Sequence, residues 1–264
     1  MRSGSEKSSG LPYVLKNFRH LPRIRIKVVT SGEKPKRRSS HNTQTIILPV
    51  RHTFPKFISI LAFQVTNPDT QSGMLKELFT RNRSYRRFHQ DVNIPLSDLE
   101  DMIDNARLSA SGRNAQPLKY ILINDKDICT EVFPLLAWAG FLKDWDGPVE
   151  GERPSAYIIQ MHDTEIAGGY FCDDGIAAQA IMLTAVEKDF GGCIIASVRR
   201  EALAELLHIP AHLRVLHVFA LGKPKEMVVI DDMKDGDIRY WRDEDNVHHV
   251  PKRPLSEIII NIPS

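Results

Sequence analysis

From Met74 onward the apolar positions fall into short blocks whose spacing switches between helical and extended. Leu75, Leu78 and Phe79 share one face of a short helix over 74–81. Ser97 and Glu100 are spaced as a capping box, and Leu99, Met102, Ile103 and Ala106 follow at helical intervals. Residues 120–123 and 157–159 are short apolar runs that read as buried strands. Residues 169–190 contain a long helix in which Ile176, Ala177, Ala180, Ile181, Leu183 and Val186 surround most of the circumference. A helix without a solvated face belongs in the centre of a core or in an interface. Beyond the Gly191-Gly192 turn the pattern predicts a strand over 193–197 and a helix over 199–207 that stops near Pro210. A strand over 214–221 follows and ends in Gly222. Strands apolar on both faces, separated by helices, predict an α/β or α+β layered domain.

Composition changes this picture mainly at the front. A chain of 264 residues, 42% hydrophobic and 26% charged, is an ordinary globular one, not a collagenous, disordered or disulfide-framework chain. No stretch is long and apolar enough to span a membrane. Cys129, Cys172 and Cys193 form no CxxC pair, which suits a reducing cytoplasm. The net charge of +2 hides an asymmetry. Residues 1–73 hold 13 lysines and arginines against 3 acidic residues, a net of +10, which leaves −8 for residues 74–264. The Ser/Lys/Arg/Pro run at 31–44 has no apolar period and reads as disordered. Residues 1–73 are therefore expected to be a basic, disordered N-terminal extension, and residues 74–264 the working domain. A tail without a role, an arm for anionic partners and a true start at Met74 all fit that front segment.

Three clusters carry candidate chemistry. Arg81-Asn82-Arg83-Ser84-Tyr85-Arg86-Arg87-Phe88 follows the first helix and groups cations, a hydroxyl and backbone donors, which suits a phosphate. Ser109 to Pro117 is a small-residue turn with Asn114 and Gln116, side chains that donate and accept and so suit heterocycle edges. Val250-Pro251-Lys252-Arg253-Pro254-Leu255 is a basic turn near the C-terminus. Taken singly, a solvated basic turn, a polar helix-to-strand loop and a surface charge cluster explain them as well. The Gly-rich phosphate loops GxGxxG and GxxxxGK are absent.

In this order, and with Gly191 to Ser197 and Leu221 to Pro224 between them, the clusters resemble the nitroreductase family of FMN-dependent oxidoreductases over residues 74–260. The resemblance implies an α+β layered fold, a central mixed, mainly antiparallel sheet flanked by helices, built as an obligate homodimer with FMN between subunits. It implies that Asn82, Arg83 and Ser84, with Lys252 and Arg253, hold the FMN phosphate. Arg86 would lie at the pyrimidine edge, where a cation stabilises the anionic reduced flavin. Ala110, Ser111, Asn114 and Gln116 would meet the ring or ribityl chain, and the backbone of Ala196 and Ser197 would approach N5. Asn82 departs from a position that is basic in many relatives, and Ala110 from one where proline is common.

The implied activity is ping-pong: NAD(P)H delivers hydride to the flavin, then a nitroaromatic, quinone or similar small acceptor takes it. No catalytic side chain is required. A flavin-binding protein with little turnover and a reductive dehalogenase are the alternatives. The expected partners are a second copy and a small acceptor, with no nucleic acid, membrane or metal. Pro210 breaks any alignment of His208 with His212, and His217 reads as a surface or core histidine. His248 and His249 sit in a polar run and read as a solvated loop. Cys193 reads as a small core residue, and Asp173-Asp174 as dipole-complementing helix N-terminal acids. Residues 137–154, with Trp138, Trp145 and Gly147-Pro148, read equally as a lid or a surface loop.

Overall fold

The computed structural model describes the backbone of residues 26–29, 44–49, 60–65 and 68–72, and residues 73–260 in full. The chain divides into two compact units, Met1–Leu75 and Lys76–Ser264. In the first, β1 (Ile26–Val29), β2 (Gln44–Pro49) and β3 (Ile60–Val65) form an antiparallel sheet in the order β1-β3-β2. Three strands thus stand within the expected extension. Of the expected disordered run 31–44, Gln44 opens β2 and the remainder lies outside the described residues. Strand pairing is a backbone interaction, so short apolar runs such as Ile46–Leu48 form a ladder whatever the charge of the segments between them. Helix α1 (Pro68–Arg81) starts ahead of Met74, where the apolar pattern placed it.

The second unit continues with β4 (Phe88–His89), α2 (Leu96–Arg107), β5 (Leu118–Ile123), α3 (Lys126–Val132), β6 (Ala156–Asp163), α4 (Asp173–Glu187), β7 (Gly191–Ile195), α5 (Arg200–Leu206) and β8 (Leu213–Pro224). Then come β9 (Val228–Asp232), β10 (Trp241–Arg242), β11 (His248–Lys252) and α6 (Leu255–Ile258). The main sheet runs β4-β8-β6-β5, with β7 also paired to β8, and every pair in it is antiparallel. Parallel pairing is found where β11 lies on β9, in a small sheet of order β10-β11-β9, and at one bridge between Ser84 and Gly192. The fold is α+β, the one of the two classes left open by the layered pattern that the family resemblance implies.

Side-chain alternation on β6 and β8 explains why these strands carry no polar face. Ala156 and Ile158 on β6, with Phe219 and Leu221 on β8, enter a core built by α2 and α4. Tyr157 and Ile159, with Val218 and Ala220, enter a second core with Val132 and Leu136 and with Leu203 of α5. A sheet covered on both faces needs apolar side chains in both phases of its two-residue period. Strand β8 runs past Gly222 to Pro224, because its last residues pair with β4.

Two local expectations change. Helix α2 is capped by Pro95, without a side-chain hydrogen bond, so Ser97 lies inside the first turn and makes no capping box. Its half-buried Asp98 and exposed Asp101 instead receive Lys188 Nζ, at 2.7 Å and 2.6 Å. Helix α4 is buried on a broad face by Ala177, Ala178, Ile181, Met182, Ala185 and Val186, while Ile176 and Gln179 remain exposed. Ile181 is 0% exposed within the single chain, so it serves the chain's own core. Ile181→Ala is expected to lower unfolding free energy by about 2–5 kcal/mol, the cost of a buried aliphatic truncation that leaves a void. Urea denaturation measures it, with a lower midpoint and an unchanged slope as the expected result.

Candidate functional site

The first basic cluster is tied to the sheet by its backbone. Ser84 bridges Gly192 of β7, and the Tyr85 N–H donates to the Gly192 carbonyl at 2.9 Å. Strand β7 is therefore held on one edge by β8 and on the other by residues 84–85. That sandwich demands glycine. A Cβ on Gly192 would run into the Ala220 carbonyl oxygen, and one on Gly191 would come within 2.6 Å of the Tyr85 ring. The motif that the sequence showed as a turn is a strand made thin enough to be approached closely on both sides.

Asn82, Arg83, Ser84 and Arg86 line a cleft of about 310 Å³ together with Lys252, His248, Tyr240, Gly192 and Cys193. A second lobe of about 240 Å³ holds Ala196, Ser197, Ala137 and Trp138 and shares Arg86, Cys193, Ile194 and Tyr240 with the first. The tertiary structure thus gathers the first cluster, Lys252, Ala196 and Ser197 along β7. Arg253 is placed differently: it is half-exposed, pairs with Glu257 at 3.1 Å and does not line the cleft.

The cations of this cleft are held in distinct ways. Arg83 Nη2 donates to the Phe79 carbonyl at 2.7 Å, while its buried Nε has no partner among the described residues. Burial lowers the Arg83 pKa from its usual very high value, and the group stays protonated at any working pH. The Arg86 backbone N–H donates to Glu226 Oε1, and its Nη1 lies 3.2 Å from the Ser84 carbonyl and 3.3 Å from His248 Nε2. The guanidinium also stands 5.0 Å from the Tyr240 ring centre. Glu226 has a fully buried side chain whose other oxygen accepts from Arg242 Nη2 at 2.9 Å. Arg87 turns away to Glu152, donating from Nε at 2.5 Å and Nη2 at 2.8 Å. That contact chiefly holds Glu152 down to about 2.

The second cluster lies elsewhere. Ala110, Ser111 and Gln116 line a separate cavity of about 270 Å³ with Ala106, Tyr120 and Ala177, and it shares no residue with the cleft. Asp173, buried at the start of α4, accepts from Ser111 Oγ at 2.6 Å and from the Gly112 N–H at 2.8 Å. It is a structural anchor as well as a dipole partner. Arg113, Asn114 and Gln116 all have φ near +50°, at 54°, 55° and 51°. Three non-glycine residues in that region within four positions is a costly backbone that local bonds must enforce. Asn114 itself is exposed and lines neither cavity.

His248 corrects the loop reading of residues 248–249. It is 0% exposed, sits on β11 and faces the cleft. His249 points the other way, between Asp231 Oδ2 at 2.7 Å and Asp243 Oδ2 at 3.1 Å, with Trp241 stacked on it at 4.8 Å. Histidine counted as polar hid the alternation of a strand. Tyr240, Glu226 and Gln179 were also missed, because nothing local distinguishes them from surface residues. Segment 137–154 packs on the small sheet: Phe141 meets the Tyr240 ring edge at 5.0 Å and Arg242 covers Trp145 at 4.3 Å.

The chain belongs to the nitroreductase family, whose model matches residues 80–223. It is 28% identical over 182 residues to a protein of Archaeoglobus fulgidus provisionally described as an NADH dehydrogenase/NAD(P)H nitroreductase, covering 66% of this chain and 95% of that one. A counterpart of the same description from Methanothermobacter thermautotrophicus is 26% identical, over 64% of this chain and 86% of its own. The crystal structure of a nitroreductase family protein from Streptococcus pneumoniae superposes with a TM-score of 0.51 at 18% identity, covering 71% of this chain and all of that one.

The His249 clamp yields a pH prediction. Hydrogen bonds to Asp243 and Asp231 raise the His249 pKa above its ordinary value. Its contribution to stability is therefore complete below the ordinary histidine range and is lost as pH rises through the raised value. Trp241 fluorescence is expected to report that loosening of the small sheet as a single titration, absent in His249→Gln.

Proposed function

We propose that this protein is an FMN-dependent oxidoreductase that takes hydride from NAD(P)H and passes it, in ping-pong fashion, to a nitroaromatic, quinone or similar small acceptor. The observation that carries the proposal is the cleft along β7. One lobe gathers Arg83, Arg86, Lys252 and the Ser84 hydroxyl, a donor set suited to a phosphate dianion. Gly192, Cys193 and Ile194 of β7 line the same lobe, so the strand backbone forms one wall of the cleft. Two buried donor-capable atoms, Arg83 Nε and His248 Nδ1, lack partners within the described residues, as expected of a site built for a polar ligand. These features fit FMN. Bound there, FMN supplies the two-electron chemistry, which no side chain of this cleft does.

Each residue then has a defined task. Arg83, Ser84 and Lys252 neutralise and orient the phosphate, and Asn82 closes that end; Arg253 joins them only by leaving Glu257. Arg86 places a fixed cation between the lobes. Ala196, Ser197 and Trp138 bound the second lobe, which takes the acceptor and shields it from water. Cys193 contributes surface and no nucleophile: burial pushes its thiol up to about 12, as it does that of Cys129. All three cysteines are free, consistent with a reducing cytoplasm. Among the described residues no helix is long and apolar enough to cross a membrane.

Ala110, Ser111, Asn114 and Gln116 stand apart from the cleft in one chain. We infer a homodimer in which these residues of one copy complete the cleft of the other.

Purified protein is expected to be yellow, to bleach anaerobically with NADH or NADPH, and to recover colour on addition of a quinone. Bleaching without recovery by any acceptor points to a flavin carrier, and a colourless protein that takes up no FMN overturns the reading. Arg83→Ala removes a charge-assisted contact worth about 1.5–3 kcal/mol, so fluorimetric titration of apoprotein is expected to show FMN binding weaker by about ten- to a hundredfold. Unchanged affinity would refute the phosphate assignment.

A further inference from the structure

We propose that His248 is a positioning residue for Arg86: from β11 it accepts a hydrogen bond from the Arg86 guanidinium and so fixes that cation at the waist between the two lobes of the cleft. The consequence for the flavin rests on the FMN reading above; the hydrogen bond does not.

An arginine side chain has donors only. With Arg86 Nη1 at 3.3 Å from His248 Nε2, that nitrogen must present its lone pair, and the ring proton must sit on Nδ1. The setting agrees. Burial, then the nearby guanidiniums of Arg86 and Arg242, hold the His248 pKa down to about 4, so the ring is neutral at working pH. Nδ1 is the buried atom without a partner among the described residues, an N–H that closes no bond within them.

His248 does not act alone. Arg86 is held by the Ser84 carbonyl from its own loop, by Glu226 after β8, by Tyr240 before β10 and by His248 on β11. Three of these four come from the segment 226–248, which forms the small sheet and its approaches. A long flexible cation normally spends its freedom in water. Glu226 fixes the Arg86 backbone, and restraint of the guanidinium from three directions keeps it where it lines both lobes. A preorganised cation stabilises whichever bound species has more negative charge beside it, and does so without reorganising. Held at the waist, Arg86 therefore favours the reduced over the oxidised cofactor. Through Arg86 the small sheet acts on the electrostatics of the cleft that it also lines with His248 and Lys252.

The test has two arms on the full-length protein. In the first, ¹⁵N NMR of the histidine rings assigns the tautomer of His248, with no flavin needed. The expected result is a proton on Nδ1 and an unprotonated Nε2 whose resonance shifts in Arg86→Lys; an Nε2-protonated ring, or no response to Arg86→Lys, overturns the proposal. In the second, FMN affinity and the two-electron midpoint potential of bound FMN are measured for wild type, His248→Phe and His248→Gln. His248→Phe is expected to bind reduced FMN about tenfold less favourably relative to oxidised FMN, a shift of about 30 mV to lower potential. His248→Gln, which keeps an acceptor, is expected to restore most of it. A potential in His248→Phe equal to wild type overturns the proposal. Wild type that binds no FMN overturns the function proposed above, while the tautomer measurement still decides the role of His248.

Discussion

The close approach at Gly191 and Gly192 is the constraint from which the rest of the site follows. Strand β7 has β8 on one side and the Ser84–Tyr85 backbone on the other, and the space left for a Cβ at Gly192 is already filled by the Ala220 carbonyl. A side chain there would push β7 off β8 and cut the bond that holds the basic loop. Because β8 is also the partner of β6, that displacement would reach both hydrophobic cores. The cleft is thus built on strands tied into both hydrophobic cores, where a displacement is costly.

Electrostatic compensation is distributed so that some cations are used up and others kept. Arg87 is neutralised by Glu152, and Arg242 by Glu226, in pairs with little exposure. A buried carboxylate with two partners is tolerable where one with none is not. Arg83, Arg86 and Lys252 make no salt bridge among the described residues and all line the same lobe. The excess positive charge of the cleft is therefore directional, and Glu226 fixes its position by holding the Arg86 backbone.

Strain is concentrated in the other half of the candidate site. The turn around Arg113, Asn114 and Gln116 holds three left-handed backbones, enforced by Asp173 gripping Ser111 and Gly112. Such a conformation costs free energy that α4, by burying Asp173 against the core, supplies. The loop lies outside the cleft of its own chain and lines a separate cavity.

Much of this was legible along the chain. The α+β class, the strands β5 to β8, the basic loop 82–86 and the small-residue turn 109–117 follow from local information: hydrophobic period, turn chemistry and the order of short motifs. Boundaries were less legible where pairing or packing overrides propensity. Helix α1 extends back to Pro68, Pro95 rather than Ser97 caps α2, and three short strands stand in a segment whose charge suggested none. Only the tertiary structure brought His248, Tyr240 and Glu226 to Arg86, because those contacts span more than a hundred residues and have no local signature. It likewise separated Arg253 from Lys252, since β11 ends at Lys252 and Arg253, just beyond it, pairs with Glu257 of α6. Sequence determines which residues are able to bind an anion or fill a core; which of them meet is decided by the sheet register, a property of pairs of distant segments.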